Sequence, residues 1–354
     1  MTDTAETKTE QDDNQDYFDR IADYGLTPLW QQFKSLMSPE PKVKSVPHCW
    51  HYAKIRKFLV EASTMITSED AERRVLLLEN PGIPGTNQIT ETLLSGVQMI
   101  LPGEVAPSHR HIPSDARLIL EGVDGAFTTV NGERLQMDFG DFIITPNWTW
   151  HDHGHHGDKP VVWQDILDTP LANAIGPMFL ENYPDTVHPR GQPDDDTLHR
   201  YGANMRAIGI TPETNLFSPL LRYTYTSSRA AAEALALTDE PDPHFGVKME
   251  YINPTTGGTA MATITVCLQR LPASFETRPY QSTEGFILTC IEGGGQVSIG
   301  EGEDRLIFKF SERDIIVIPC WYPFSVKANA DTYLFVSSDK IVQTKLGYWR
   351  ELKH

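Results

Sequence analysis

The chain has 354 residues, of which 40% are hydrophobic and 10% aromatic, and its formal charge is -18 at pH 7. This composition suffices for a buried core and excludes global disorder. The length predicts two domains of ordinary size or one unusually large β domain. The acidic balance argues against nucleic acid and against an anionic membrane as partners, because both require an excess of Lys and Arg. An anionic substrate is compatible with it, since a few placed arginines can dominate one pocket.

The cysteine and N-terminal patterns predict a cytoplasmic protein. The four cysteines are widely spaced without a CxxC pair, so we expect reduced, buried thiols. The first residues are polar and acidic and lack the apolar segment of a secretory signal. No apolar run approaches the roughly 18 residues that a membrane span needs.

The first part of the chain is predicted to be helical after a disordered start. Residues 1–16 form an acidic tail without aromatics, which is typical of disorder. Residues 17–72 show amphipathic stretches interrupted by prolines, with one helix expected over residues 52–65.

From residue 73 onward the pattern is that of β structure. Short apolar or alternating runs recur about every ten residues, which predicts an antiparallel sandwich or barrel. These runs fill residues 73–184, and a Pro-, Asp- and Gly-rich linker follows over residues 185–227. The second domain is expected over residues 228–354. It begins with a helix at residues 228–237, after which the earlier order of runs is repeated. The repetition predicts a second jelly-roll domain.

Three histidines are the strongest candidates for a metal site. His109 and His111 lie two residues apart on a predicted strand, so both imidazoles leave the same face. His151 follows a predicted Asn131-Gly132 hairpin, and strand pairing would bring it opposite the other two. Three neutral imidazoles suit Fe, Zn, Cu or Ni, and the residue types do not choose among them.

The spacing around these histidines is similar to that of the two cupin motifs. The positions are Gly103, His109, His111, Asp115 and Gly122, then Gly140, Pro146 and His151. Asp115 fills the acidic slot of the motif, where it would be a fourth ligand, a partner of a ligating histidine or a solvated turn residue. His153 is expected in the pocket, whereas His155 and His156 are expected to be solvated.

Longer stretches resemble the gentisate 1,2-dioxygenase family, with its salicylate and 1-hydroxy-2-naphthoate dioxygenase relatives. They include GVQMILPGEVAPSHRH, GDFIITPNWTWHDHG, MEYINPTTGG and QRLPASFETRPYQSTEG. The resemblance implies an all-β-dominated fold in which the double-stranded β-helix (cupin) jelly roll occurs twice, with N-terminal helices. It also implies one Fe(II) per subunit and a homotetramer. The reaction would use O2 to cleave the bond between the carboxyl- and hydroxyl-bearing ring carbons of a 2-hydroxybenzoate.

The same resemblance implies roles for individual residues. His109, His111 and His151 match the iron ligands. The positions that match the family's substrate pocket are Arg73, Gln98, Arg117, His153 and Asp165. Arg117 would pair with the substrate carboxylate, Gln98 would donate a neutral hydrogen bond and His153 would shuttle a proton near neutral pH.

Two departures from the family pattern affect the expected function. Phe324 stands where the second cupin should carry a histidine, so this domain is expected to lack metal. Leu94 stands where relatives place Trp or Tyr, which favours a bulkier ring, whereas Asp165 favours the 5-hydroxyl of gentisate.

Several functions remain open at this stage. Gentisate is the leading substrate, and the alternatives are salicylate, a 5-substituted salicylate and 1-hydroxy-2-naphthoate. An isomerase or decarboxylase with Asp115 as a fourth ligand is an alternative class, and a sensor of aromatic acids is a third.

Overall fold

A computed structural model describes residues 6–66, 73–205, 207–209 and 216–354. It divides into two compact units, Met1–Lys42 and Val43–His354. The first unit contains helices α1 (Glu6–Asp23) and α2 (Leu29–Leu36). Helix α1 corrects the prediction of disorder through residue 16, because its start is rich in Glu, Lys and Gln, which have high helix propensity. Residues 1–5 of the predicted tail lie outside the described residues.

The second unit contains the remaining helices. They are α3 (Tyr52–Met65), α4 (Thr169–Ile175), α5 (Asp196–Tyr201), α6 (Tyr225–Thr238) and α7 (Lys340–Leu346), with a short 3-10 helix at Gly302–Asp304. Helix α3 spans the residues predicted for it, and α6 begins three residues before the helix predicted at 228–237. None of the helices among the described residues is long and apolar enough to cross a bilayer.

Strands are the main regular structure of the second unit, as the sequence predicts. The strands up to the middle of the chain are β1 (His48–Trp50), β2 (Val75–Leu77), β3 (Leu94–Ile100), β4 (Val105–His111), β5 (Asp115–Glu121), β6 (Ala126–Val130), β7 (Glu133–Gln136), β8 (Phe142–Thr145), β9 (His151–His155), β10 (Val161–Leu167), β11 (Leu180–Asn182) and β12 (Arg222–Tyr223). Those that follow are β13 (Val247–Glu250), β14 (Thr265–Leu271), β15 (Tyr280–Ser282), β16 (Phe286–Glu292), β17 (Gly294–Ile299), β18 (Leu306–Ser311), β19 (Ile315–Ile318), β20 (Phe324–Ala328), β21 (Thr332–Ser338) and β22 (Glu351–Lys353).

These strands form two barrels with the same topology. The first barrel combines the sheets β12-β8-β5-β10-β3-β2 and β11-β4-β9-β6-β7, and the second combines β1-β19-β16-β21-β14-β13 and β22-β15-β20-β17-β18. The two orders correspond strand for strand, so the predicted repetition of a cupin jelly roll is confirmed. Strand β1 lies in the segment predicted to be helical, yet it pairs with β19 of the second barrel.

Part of the segment that connects the two barrels forms a strand of the first barrel. Strand β12, within the predicted linker, pairs with β8. The guanidinium of Arg222 on β12 forms ion pairs with Asp138, Asp141 and Asp195. The connection is therefore anchored at this end, and residues 206 and 210–215 lie outside the described part.

The largest apolar cluster is shared by both barrels. In it Phe142 on β8 lies 5.6 Å from Phe335 on β21, measured between ring centroids. Beside it the Thr289 hydroxyl donates to Gln164 Oε1 at 2.7 Å. Separate clusters fill the interior of each barrel, and the histidine cluster lies on the five-stranded sheet of the first.

Candidate metal centre and substrate pocket

His109, His111 and His151 converge in the first barrel. Strands β4 and β9 pair with His109 opposite His151. The ring centroids are 4.0 Å apart for His109 and His151, 4.8 Å for His111 and His151, and 5.2 Å for His109 and His111. One nitrogen of each imidazole lies within 4.8 Å of the others, which is compatible with a single metal ion.

Backbone carbonyl oxygens orient the three rings. His111 Nδ1 lies 2.8 Å from Pro113 O, and His151 Nδ1 lies 3.0 Å from Thr149 O. His109 Nδ1 lies 3.3 Å from Pro107 O. A carbonyl accepts only from a protonated nitrogen, so Nδ1 of His111 and of His151 carries the proton and the Nε2 atoms of these two residues offer their lone pairs.

The electrostatic environment keeps these imidazoles neutral. Burial, together with the Arg73 guanidinium, lowers the pKa of His109 to about 2. Burial also lowers the pKa of His111 and, strongly, that of His151. Metal binding requires the neutral form, so the three residues fit a divalent metal of the kind that imidazole prefers.

Another group that could hold a metal is Cys49, His51 and Asp314. Asp314 already accepts hydrogen bonds from His51 Nδ1 and from the backbone N–H of Tyr52, at the start of α3. It also accepts from the backbone N–H and hydroxyl of Ser311. Its oxygens are thus occupied in capping a helix and a turn, and the group has a structural explanation.

Arg117 is clamped inside the protein. Its Nε donates to Asp165 Oδ1 at 2.7 Å and its Nη2 donates to Asp115 Oδ2 at 2.8 Å. Its Nη1 donates to Thr128 Oγ1 at 2.9 Å and lies 3.2 Å from His153 Nδ1. Each of the three guanidinium nitrogens therefore has a partner in the protein, and the pairing with a substrate carboxylate stays a prediction.

His153 acquires a defined tautomer from this contact. An arginine N–H can only donate, so His153 Nδ1 is the acceptor and the proton sits on Nε2. Burial and the charge of Arg117 lower the pKa of His153 well below its ordinary value. The side chain is therefore a neutral donor rather than a group that titrates near neutral pH.

Asp115 is neither solvated nor part of the histidine cluster. It is buried at the start of β5 and accepts from Arg117 and from the backbone N–H of Ile166 at 3.2 Å. Burial and the neighbouring Asp165 raise its pKa. Of the three alternatives for Asp115, the solvated turn residue was wrong, because strand alternation puts Asp115 on the same inward face as Arg117.

Asp165 is likewise occupied within the barrel. Its Oδ1 accepts from Arg117, and its Oδ2 accepts from the indole N–H of Trp163 at 2.8 Å. The Trp163 ring packs against the His153 ring at 5.1 Å between centroids. Trp163 and Thr128 were missed by sequence reasoning, although the alternation of Trp163 with Asp165 on β10 was a usable signal for the first.

Gln98 and Leu94 lie on the same face of β3. Gln98 is opposite Trp163 and Leu94 is opposite Leu167. The Gln98 amide nitrogen is buried without a hydrogen-bond partner among the described residues. A buried donor without a partner is costly, which indicates a place for a ligand oxygen.

Arg73 lies beside the metal-binding group. Its Nη2 donates to Pro107 O at 3.2 Å and lies 2.5 Å from His109 Nδ1. The positive charge is thus next to the cluster, where an anionic ligand would gain from it.

Other histidines differ in their surroundings. His155 is buried and its ring nitrogens contact Lys159 O and the backbone N–H of Gly157, so the expectation of solvation was wrong for this residue. The cause is a tight turn after β9, which folds back over the ring. His156 is exposed as predicted.

The second barrel has aromatic side chains at two of the positions where the first has its metal-binding histidines. Tyr280 on β15 is opposite Phe324 on β20, as His109 is opposite His151. Neither side chain carries an imidazole nitrogen like those that form the metal-binding group of the first barrel.

Comparison with known proteins agrees with this arrangement. The family model described as "Cupin domain" matches residues 96–168. The chain is 42% identical over 342 residues to gentisate 1,2 dioxygenase 1 of Aquipseudomonas alcaligenes, covering 97% of each chain. It is 30% identical to 5-aminosalicylate 1,2-dioxygenase of Comamonas sp, covering 94% of this chain and 88% of the relative. The crystal structure of salicylate 1,2-dioxygenase from Pseudoaminobacter salicylatoxidans with gentisate superposes with a TM-score of 0.87 at 28% identity, over 100% of this chain and 95% of the other.

Proposed function

Because the chain belongs to the gentisate 1,2-dioxygenase family of ring-cleaving enzymes, we propose that its own substrate is gentisate. Both atoms of O2 would enter between the carboxyl- and hydroxyl-bearing ring carbons. The observation that carries this proposal is the buried group of three neutral imidazoles beside a cationic and hydrogen-bonding wall.

Fe(II) is the metal we propose for this site, one ion per subunit, held by one ring nitrogen each of His109, His111 and His151. When bound, the metal would chelate the carboxylate and phenolate of the substrate and activate O2. The backbone carbonyls of Pro113 and Thr149 hold the rings of His111 and His151 in the orientation that this requires.

The surrounding side chains would bind and orient the substrate. The unpartnered amide N–H of Gln98 is suited to donate to a carboxylate or hydroxyl oxygen. His153 would present its Nε2–H as a second donor, with Arg117 and Thr128 fixing the ring from behind. Arg73 would stabilise the negative charge of the bound acid next to His109.

In this scheme Arg117 and Asp165 act mainly on His153. Their hydrogen bonds are satisfied by each other and by Asp115 and Trp163. We therefore propose that they set the position of His153, and that Asp165 selects a 5-hydroxyl only through the shape of the pocket.

The test is O2 uptake by anaerobically Fe(II)-loaded protein offered gentisate, salicylate, 5-nitrosalicylate and 1-hydroxy-2-naphthoate in parallel. Stoichiometric uptake with gentisate, accompanied by the absorbance of a ring-opened product, is the expected result. Uptake with none of the four, in protein shown to hold iron, would exclude a dioxygenase acting on these acids.

Leu94 favours an alternative substrate with the same chemistry. A leucine at the start of β3 leaves more space than Trp or Tyr, so 1-hydroxy-2-naphthoate is the second candidate. A higher kcat/KM for the bicyclic acid than for gentisate in the same assay would establish it.

We further propose that the protein works in the cytoplasm as a homotetramer. Apolar side chains of the first unit are exposed, among them Tyr24, Leu29, Trp30 and Phe33, and large exposed apolar groups commonly mark assembly surfaces. Light scattering coupled to gel filtration measures the mass; a monomeric species at micromolar concentration would contradict the tetramer.

A further inference from the structure

The second barrel contains a cavity that includes the position equivalent to one of the metal-binding histidines of the first. Strand pairing puts Phe286, Ser338 and Thr265 side by side, just as it puts Asp115, Leu167 and Leu94 side by side in the first barrel. The cavity, of about 340 Å³, is lined by Thr265 and Ser338 from these rows and by Tyr280, at the position of His109. Small-molecule sites typically begin at about 300 Å³.

Two lysines line this cavity without anionic partners. Lys248 Nζ lies 5.1 Å from the centroid of the Phe245 ring and 5.4 Å from that of the Phe286 ring. Lys340 Nζ lies 4.3 Å from the centroid of the Trp349 ring. Within the described part of the chain, neither ammonium forms a hydrogen bond or lies within 4.0 Å of a carboxylate oxygen. Partly buried cations of this kind gain most from an anion that replaces lost hydration.

The two carboxylates that also line the cavity do not neutralise these lysines directly. Glu284 is buried and accepts hydrogen bonds from Ser338 Oγ at 2.6 Å, Trp349 Nε1 at 3.1 Å and Ser282 Oγ at 3.2 Å. Its charge is therefore stabilised by the protein itself. Glu250, at the end of β13, lies outside direct contact with either ammonium, and burial raises its pKa although the charges of Lys340 and Lys248 oppose that shift.

Aromatic and aliphatic side chains form part of the remaining wall. Phe245, Tyr280, Val336 and Ile341 line the cavity together with the lysines, and the Phe245 and Tyr280 rings pack edge to face at 4.8 Å. The cavity thus offers two cations together with aromatic surface, which is the combination that fits a small acid with an apolar body.

We propose that the second barrel binds a small organic carboxylate, with Lys248 and Lys340 pairing with its carboxylate group and Phe245 and Tyr280 covering its apolar body. This site has no metal-binding histidines and is therefore a binding site rather than a second catalytic centre. It is separate from the chemistry proposed for the first barrel.

The experiment uses 4-fluorobenzoate as the probe, added anaerobically to the Fe(II)-loaded full-length protein and observed by fluorine NMR. Paramagnetic Fe(II) broadens the signal of any probe bound beside it, whereas probe bound in the other barrel gives a sharp shifted signal. We expect a sharp bound signal in the native protein, with affinity at least 10-fold weaker in the double variant Lys248→Met/Lys340→Met.

A matched control removes the same charge elsewhere. Lys54 and Lys309 are exposed, and the variant Lys54→Met/Lys309→Met should keep the sharp signal. Both double variants should retain the ring-cleavage rate of the native protein, which shows that they are folded.

Two results would overturn the proposal: absence of a sharp bound signal from native protein, or a sharp signal that the Lys248→Met/Lys340→Met variant retains. The second result would mean that the two lysines do not hold the probe. Failure of ring cleavage with every acid would leave the binding result intact, so the two proposals fail independently.

Discussion

Arg117 illustrates what a single residue contributes and how far sequence can predict it. The family resemblance implied that Arg117 lines the pocket, and its side chain is buried inside the barrel. Its partners come from β5, β6, β9 and β10, so they depend on the register of four strands. That register could not be read from one stretch of sequence, and the clamping of the guanidinium was therefore not predicted.

Replacing Arg117 by Lys should show that its geometry matters as well as its charge. A single ammonium cannot contact Asp115, Asp165, Thr128 and His153 together. We expect a loss of roughly 3–5 kcal/mol in the free energy of unfolding and at least a 100-fold fall in kcat, measured by urea unfolding and O2 uptake.

The matched control is Arg110→Lys, on strand β4, where a less buried guanidinium lies between the rings of Trp148 and Trp150. This change should alter the free energy of unfolding by no more than about 1 kcal/mol, as is usual near the surface. An Arg117→Lys variant with native kcat would show that His153 needs no support from the guanidinium.

Removing one metal ligand should abolish metal binding. His151→Ala leaves two imidazoles of the buried group, so we expect iron content below about a tenth of the native value and no measurable ring cleavage. Metal analysis after anaerobic loading gives the occupancy, with the exposed His156→Ala as control. Native iron content in His151→Ala would exclude His151 as a ligand.

Leu94 is the residue at which we expect substrate size to be set. Leu94→Trp fills space at the start of β3 and should lower kcat/KM for 1-hydroxy-2-naphthoate about 10-fold more than for gentisate, in the range that pocket volume controls. Parallel kinetics with both acids measure the ratio. The control is Leu77→Trp on the adjacent strand, where the side chain is 42% exposed. If the ratio of kcat/KM for the two acids were the same in both variants, Leu94 would not set the size limit.

At the scale of elements, sequence predicted the regular features and missed those that depend on distant pairing. Helix α3 was predicted because its apolar residues follow a helical period. Strand β1 was missed because its three residues have no pattern of their own and are a strand only through pairing with β19. The β12 strand, inside the predicted linker, was missed for the same reason.

The join between β7 and α5 carries a buried carboxylate that should make stability depend on pH. Glu133 is 1% exposed, and its Oε1 accepts from the backbone N–H and the hydroxyl of Thr197, each at 2.8 Å. Its Oε2 has no hydrogen-bond partner in the described part of the chain. Burial raises the pKa of Glu133 to about 7 from an ordinary value of 4.5.

A raised carboxyl pKa in the folded state means that the folded protein binds the proton more tightly than the unfolded chain. The stabilisation is complete below pH 4.5 and is lost as the pH rises through 7, because the unfolded state then binds fewer protons. Glu133→Gln removes this titration and keeps an oxygen for Thr197. We compare the free energy of unfolding of the variant with that of the native protein at each pH. The difference should be about 1–2 kcal/mol more favourable to the variant at pH 8 than at pH 5.

Urea unfolding at the two pH values measures this difference. The exposed Glu61→Gln on α3 is the control and should shift neither value. A Glu133→Gln variant whose stability relative to native is the same at pH 5 and pH 8 would contradict the raised pKa.

At the scale of the whole molecule, sequence predicted two cupin jelly rolls but treated them as separate domains. The motifs around His109 and His151 allowed the fold to be predicted, because the alternation of side chains along each strand is a local feature of the sequence. How the barrels pack is set by apolar side chains of the two six-stranded sheets, and these look like ordinary core residues in the sequence. The shared core around Phe142 and Phe335 could therefore not be predicted from the sequence.

This shared core predicts that the two barrels unfold together. Phe335 is fully buried on β21 of the second barrel and contacts Phe142 on β8 of the first. Removing a buried phenylalanine ring typically costs 3–5 kcal/mol, so Phe335→Ala should lower the stability of both barrels by that amount. Calorimetry should then show one transition at a lower temperature, and the metal held in the first barrel should be released during that transition.

The control is Phe308→Ala, at a half-buried ring within the second barrel, for which a smaller shift in the transition temperature is expected. Two separate transitions in Phe335→Ala, with metal retained through the first of them, would show that the metal-binding barrel is stable without its neighbour.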